Sequence, residues 1–218
     1  MGFLAQIIMK AKGLIIALDV TDKEKALNIA EETSSYVQAI KVGYPLVLSS
    51  GLDIIEELMS YTETVIADFK VADIPNTSKI ICRLARNAGA AYVIVHGFVG
   101  EDVLKACSEI VDIIVVAEMS HPGAEAFIQP VSEEIALLAC EYAKGIVAPA
   151  TRPERITKLR YVVGRKLLII SPGVKAQGAE IGDAMRAGAD FEIVGREIYE
   201  SERPGEKARK IAKILKKV

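Results

Sequence analysis

Eight apolar runs rich in β-branched residues, each followed by a longer stretch with helical spacing, constrain this chain more than any other feature. The runs cover residues 14–20, 39–43, 64–69, 92–96, 113–118, 145–148, 167–171 and 191–194. They are nearly continuous rather than alternating, the pattern of strands covered on both faces, as in parallel sheets. Between them, Thr21-Asp22-Lys23-Glu24 reads as a capping box opening a helix. Pro153 and Pro204 stand where first helical turns accept proline, and Gly89, Gly164 and Gly188 stand where helices should stop. About eight strand–helix units of roughly 25 residues each suit a closed (β/α)8 barrel at the lower end of its usual length. The expected fold is therefore α/β, a single-domain (β/α)8 TIM barrel over residues 1–218. An open doubly wound sheet fits less well, because no GxGxxG follows the first run. No linker or low-complexity tract divides the chain.

Charge and cysteine content narrow the function. Lys and Arg number 27 against 29 Asp and Glu, a net −2, so no bulk positive field is available to hold nucleic acid or an anionic membrane. Hydrophobic residues make up 51% and charged residues 26%, enough apolar material for a sizeable core. Cys82, Cys107 and Cys140 are odd in number, widely spaced and without a CxxC pair, which supports neither a disulfide framework nor a zinc knuckle. The N-terminal apolar stretch is interrupted by Lys10 and Lys12, and no run reaches the ~18 apolar residues of a membrane span. A cytoplasmic location is expected.

In a barrel of this kind the chemistry sits at the C-terminal ends of the strands. The polar residues there are Asp19, Lys41, the segment Asp68-Phe69-Lys70-Val71-Ala72-Asp73, His96, and Glu118 with Ser120 just beyond. Asp68 and Lys70 are two apart, so in a regular strand both point into the barrel mouth. Asp19, Lys41, Asp68 and Lys70 could serve only as a neutral plug. Desolvating several ions costs several kcal/mol each, however, so a cluster of them points to a task.

A second feature lies at the last two strand ends: Ser171-Pro172-Gly173-Val174-Lys175-Ala176-Gln177-Gly178 and Val194-Gly195-Arg196. Barrels commonly bind phosphate here. Glycines let backbone N–H groups approach an anion, and arginine can donate a bidentate pair.

Together these segments resemble the orotidine 5′-phosphate decarboxylase family in its archaeal form, over essentially the whole chain. The resemblance rests on Asp68-Phe69-Lys70-Val71-Ala72-Asp73-Ile74-Pro75-Asn76-Thr77, Asp19, Lys41-Val42-Gly43-Tyr44-Pro45, His96-Gly97-Phe98, Met119-Ser120-His121-Pro122-Gly123 and the two phosphate loops. DxKxxD alone is shared with sugar-phosphate relatives; followed by Ile-Pro-Asn-Thr it is specific. The resemblance implies conversion of orotidine 5′-monophosphate (OMP) to uridine 5′-monophosphate (UMP) and carbon dioxide in pyrimidine biosynthesis, with no metal and no organic cofactor. It implies that Asp68 lies against the substrate carboxylate and that Lys70 protonates C6. Lys41 and Asp19 would contact ribose hydroxyls and hold the charge array, and Ser120 would recognise the pyrimidine. Gln177 would bridge base and phosphate, Gly195 and Arg196 would grip the phosphate, and Val147 and Pro172 would line an apolar pocket. Asp73 and Thr77 would complete the neighbouring site of a homodimer.

Two other readings stand beside it. One is a magnesium-dependent aldolase or decarboxylase using Asp68, Asp73 and Glu118 as oxygen ligands. The other is a non-catalytic phosphoribosyl-ligand sensor. Glu192, inside the last apolar run, departs from the pattern and is expected either to face the helix layer beside a basic partner or to weaken the strand. His96 and His121 are too few for a histidine-rich metal site. The basic stretch 206–217 reads as a solvated helix face.

Overall fold

A computed structural model of the chain describes residues 13–175 and 178–218. Eight parallel strands close into a barrel in sequence order. They are β1 (Gly13–Leu18), β2 (Ala39–Gly43), β3 (Val65–Val71), β4 (Tyr92–His96), β5 (Asp112–Val116), β6 (Gly145–Val147), β7 (Leu168–Ser171) and β8 (Phe191–Val194). Closure runs through β1 and β8, with Gly13 opposite Phe191 and Ile16 opposite Val194. All eight expected runs are strands, displaced by no more than two residues at either end.

The continuous apolar runs follow from burial on both faces. In β1, Ile15 and Ala17 join Ile66, Ile94, Val116 and Ile170 in the cluster inside the barrel. Leu14, Ile16 and Leu18 pack outward in the larger cluster under the helices. Each strand therefore has no polar face to solvent until its C-terminal end, where Asp19, Lys41, Asp68 and Lys70 emerge.

The helix signals hold with one correction. Asp22, not Thr21, caps helix Lys23–Thr33, its carboxylate accepting from the Lys25 N–H at 2.8 Å. Pro153 and Pro204 open helices Pro153–Val163 and Pro204–Leu215. Gly164, with φ 56°, ends the first of these in a backbone conformation that favours glycine. Cys82 and Cys107 are buried on helices Pro75–Asn87 and Glu101–Ser108, as small apolar residues would be. Among the described residues no helix is long and apolar enough to cross a membrane.

Candidate active site

A cavity of about 490 Å³ opens at the C-terminal ends of the strands. On one side β1, β2 and β3 deliver a row of charges. Lys41 projects inward from β2, and its ammonium lies 2.8 Å from Asp68 and 3.6 Å from Asp19. Lys70 reaches back to the same carboxylate, 2.8 Å from one Asp68 oxygen and 2.9 Å from the other. Asp68 thus sits between two ammonium groups. Lys41 and Asp68 are 7% and 8% exposed, whereas Lys70 is 38% exposed and faces the open cavity. Burial opposes charge on both inner groups, yet the pairing wins in each case. Asp68 and Asp19 hold the Lys41 pKa above its usual value, and Lys41 and Lys70 hold that of Asp68 below the carboxylate range.

Regular alternation is not what brings Lys70 to Asp68. The pairing of β3 with β4 slips between Ala67 and Val71, and Lys70 takes a left-handed backbone with φ 41°. A side chain with a Cβ pays for that conformation in strain, which is tolerated where the surroundings impose it. Gly43 makes room for the second carboxylate: a Cβ there would stand 2.8 Å from the Asp19 Oδ1.

The phosphate side follows β7 and β8, the latter paired with β1. Pro172 and Gly173 after β7, and Gly195 and Arg196 after β8, line the same cavity as the charges. Among the described residues Arg196 has no carboxylate partner, so its guanidinium is available to an anion. Between these poles the walls are apolar, with Ile94, Val116, Val147 and Ile193, and Ser120 stands at the rim. Of the expected site residues, Asp19, Lys41, Asp68, Lys70, Ser120, Pro172, Gly195 and Arg196 are brought together. Gln177 lies outside the described residues. Asp73 and Thr77 do not line this cavity: Asp73 is exposed beyond β3, its Oδ1 accepting from the Ile74 N–H, and Thr77 sits in the first turn of helix Pro75–Asn87.

Glu118 is not a partner of Asp68 and Asp73, contrary to the magnesium alternative. It is fully buried two residues beyond β5, where it receives Arg152 at 3.1 Å and Arg155 at 2.8 Å. Among the described residues no three His, Cys, Asp or Glu side chains gather as a metal site requires. The Glu118 cluster has a different effect. Arg152 also donates to the Met119 carbonyl, and Thr151 donates to the Ser120 carbonyl at 3.0 Å, so the two arms fasten the segment that presents Ser120.

Sequence reasoning missed Tyr44 and Tyr199 as cavity residues. The signal for Tyr199 was available, since it lies one helical turn beyond Gly195 and its N–H donates to the Gly195 carbonyl. Burial and then Asp68 raise the Tyr44 pKa, and burial and then Asp19 raise that of Tyr199, so both phenols stay protonated near neutrality. His96 is half-buried with its ring tilted against Phe98 at 4.8 Å, and burial, then Lys70, lowers its pKa.

Comparison with known proteins agrees with this geometry. The chain is 57% identical over 208 residues to the orotidine 5′-phosphate decarboxylase of Methanococcoides burtonii, covering 93% of this chain and 96% of that protein. It is 52% identical over 205 residues to that of Thermococcus kodakarensis, covering 93% and 96%. The crystal structure of orotidine 5′-monophosphate decarboxylase from Methanocaldococcus jannaschii complexed with inhibitor BMP superposes with a TM-score of 0.89 at 45% identity, covering 94% of this chain and 99% of that one. Residues 12–211 match the family model described as orotidine 5′-phosphate decarboxylase / HUMPS family, and with relatives this similar along nearly their whole length the chain belongs to that family.

Proposed function

We infer that this chain decarboxylates orotidine 5′-monophosphate, releasing carbon dioxide and leaving UMP, in pyrimidine biosynthesis. The observation that carries the reading is the single carboxylate, Asp68, held between Lys41 and Lys70 in the same cavity that Gly195 and Arg196 line. A charge array and a phosphate grip in one cavity suit a nucleotide with a carboxylate on its ring.

The residue roles follow from the chemistry. The C6–carboxylate bond breaks with its electron pair left on C6, carbon dioxide departs, and the Lys70 ammonium gives C6 a proton, becoming a neutral amine. No adjacent carbonyl absorbs that pair, so the ammonium must stabilise localised negative charge before it is transferred. Asp68, kept ionised by its two lysines, stands against the reactant carboxylate and disfavours it relative to the transition state. Lys41 and Asp19 take the ribose hydroxyls and hold the array, and Ser120 takes the pyrimidine edge. The apolar walls at Val147 and Pro172 receive the departing carbon dioxide. Enzymes lower barriers by about 8–23 kcal/mol, more than one charged contact supplies, so phosphate binding by Gly195, Arg196 and Gln177 contributes remotely. Arg196→Ala is expected to weaken phosphate-dependent binding and lower kcat/KM; an unchanged kcat/KM would refute the assignment.

The catalytic unit is a homodimer, with Asp73 and Thr77 reaching the neighbouring site. What supports this is their position outside their own cavity, together with exposed Ile74, Ile80 and Leu84 on the same segment and Phe98 after β4. Three free cysteines and the lack of a spanning helix among the described residues support a cytoplasmic setting. The direct test is a spectrophotometric assay of purified protein with orotidine 5′-monophosphate, with and without EDTA. Turnover unaffected by chelator is expected. Loss with EDTA would favour the magnesium reading, and tight nucleotide binding without turnover would favour the sensor.

A further inference from the structure

Glu192 is a charged residue in a barrel strand, and its surroundings are not those anticipated. It is fully buried, facing the helix layer between the inward residues Phe191 and Ile193, and among the described residues no basic side chain is its partner. Its carboxylate instead accepts four contacts from backbone amides: Gly182 at 2.9 Å to each oxygen, Ala184 at 3.1 Å and Met185 at 3.3 Å. These amides stand where the chain returns from its excursion beyond β7. That excursion begins at Pro172, passes the bridge between Val174 and Ala179, and reaches Gly182 in a left-handed turn with φ 96°. Glu192 also lies beside Ser171 in the β7–β8 register, and three residues before Gly195. One side chain thus joins the return of the phosphate-lining connection to the strand that presents the other phosphate arm.

We propose that Glu192 is a positioning residue for the phosphate group, setting the β7–β8 connection at the correct distance from Gly195 and Arg196. The proposal rests on the phosphate site read above. Burial raises the Glu192 pKa despite the amide hydrogen bonds, and Asp183 nearby adds to the rise. Ionising Glu192 therefore carries a cost to folding that the amide contacts offset only in part, in keeping with a task beyond filling space. An apolar residue would leave the three amides without their acceptor and free the connection to shift.

The test compares Glu192→Leu and Glu192→Gln with the wild type by measuring affinity for UMP and for uridine, with KM and kcat for orotidine 5′-monophosphate alongside. Glu192→Leu is expected to weaken UMP about 10-fold with uridine unchanged, the shift appearing as a higher KM, and Glu192→Gln to recover part of the loss through its remaining carbonyl acceptor. A UMP-to-uridine affinity ratio equal to wild type in either folded variant would overturn the proposal, even if thermal stability fell. Should Glu192→Leu not fold, the ratio in Glu192→Gln decides. Arg196→Ala separates the two levels: if it lowers the ratio while the Glu192 variants do not, only the positioning role fails. If it too leaves the ratio unchanged, the phosphate reading fails with it.

Discussion

At the residue scale, Lys70 combines the exposed ammonium of the site with a backbone angle that favours glycine. A left-handed residue bearing a Cβ costs roughly 1–2 kcal/mol. Lys70→Gly is therefore expected to be more stable than Lys70→Ala by about 1 kcal/mol in urea denaturation, both being inactive. Equal stabilities would mean that the turn carries no strain. Asp68 gives a second test. Its folded pKa is depressed, so its contribution to stability is present above the unfolded value of about 3.9 and is lost as the pH falls from there through the folded value. Lys41 has the opposite sign: its pKa is raised, so its contribution is present below about 10.4 and lost as the pH rises through the folded value. Asp68→Asn leaves the buried Lys41 without its closest partner. A loss of about 3 kcal/mol at pH 7 is expected, with the gap to wild type narrowing below pH ~4. A gap of constant size across the acid range would contradict the linkage.

At the scale of elements, the strands were legible because burial on both faces leaves uninterrupted apolar runs, and periodicity reports burial directly. The end of β3 was not legible. Regular alternation predicts Asp68 and Lys70 on one face, whereas a slipped register and one left-handed residue bring them into contact. Local spacing carries no information about such a slip, because the partner strand decides it. Partners far along the chain were hidden for the same reason. Nothing near Glu118 announces Arg155, 37 residues away, and nothing near Glu192 announces that backbone amides would hold it. The Glu118 cluster joins the segment after β5 to helix Pro153–Val163. Glu118→Gln leaves two guanidinium groups, each 14% exposed, short of a counter-charge. It is expected to lower stability by about 3 kcal/mol, read from thermal or urea unfolding, and to raise KM through the loosened Met119-Ser120 segment. Wild-type stability in that variant would show the cluster to be dispensable.

At the scale of the whole molecule, closure of the barrel through β1 and β8 brings residue 19 and residue 196 to one rim and puts the charge row and the phosphate arms in one cavity. Asp73 and Thr77 stay outside that enclosure, which is why a second copy enters the account. If sites are shared, Asp73→Ala and Lys70→Ala chains assembled together form mixed dimers with one intact site each, and equal mixing should restore about a quarter of wild-type activity. No restoration in chains shown to have exchanged would argue for self-contained sites. The central claim, that the Lys70 ammonium supplies the proton at C6, is tested most directly by orotidine 5′-monophosphate turnover in Lys70→Ala with UMP affinity measured on the same protein. The account expects turnover to fall by at least ~10³-fold while UMP still binds. Turnover near the wild-type rate in that variant would contradict it.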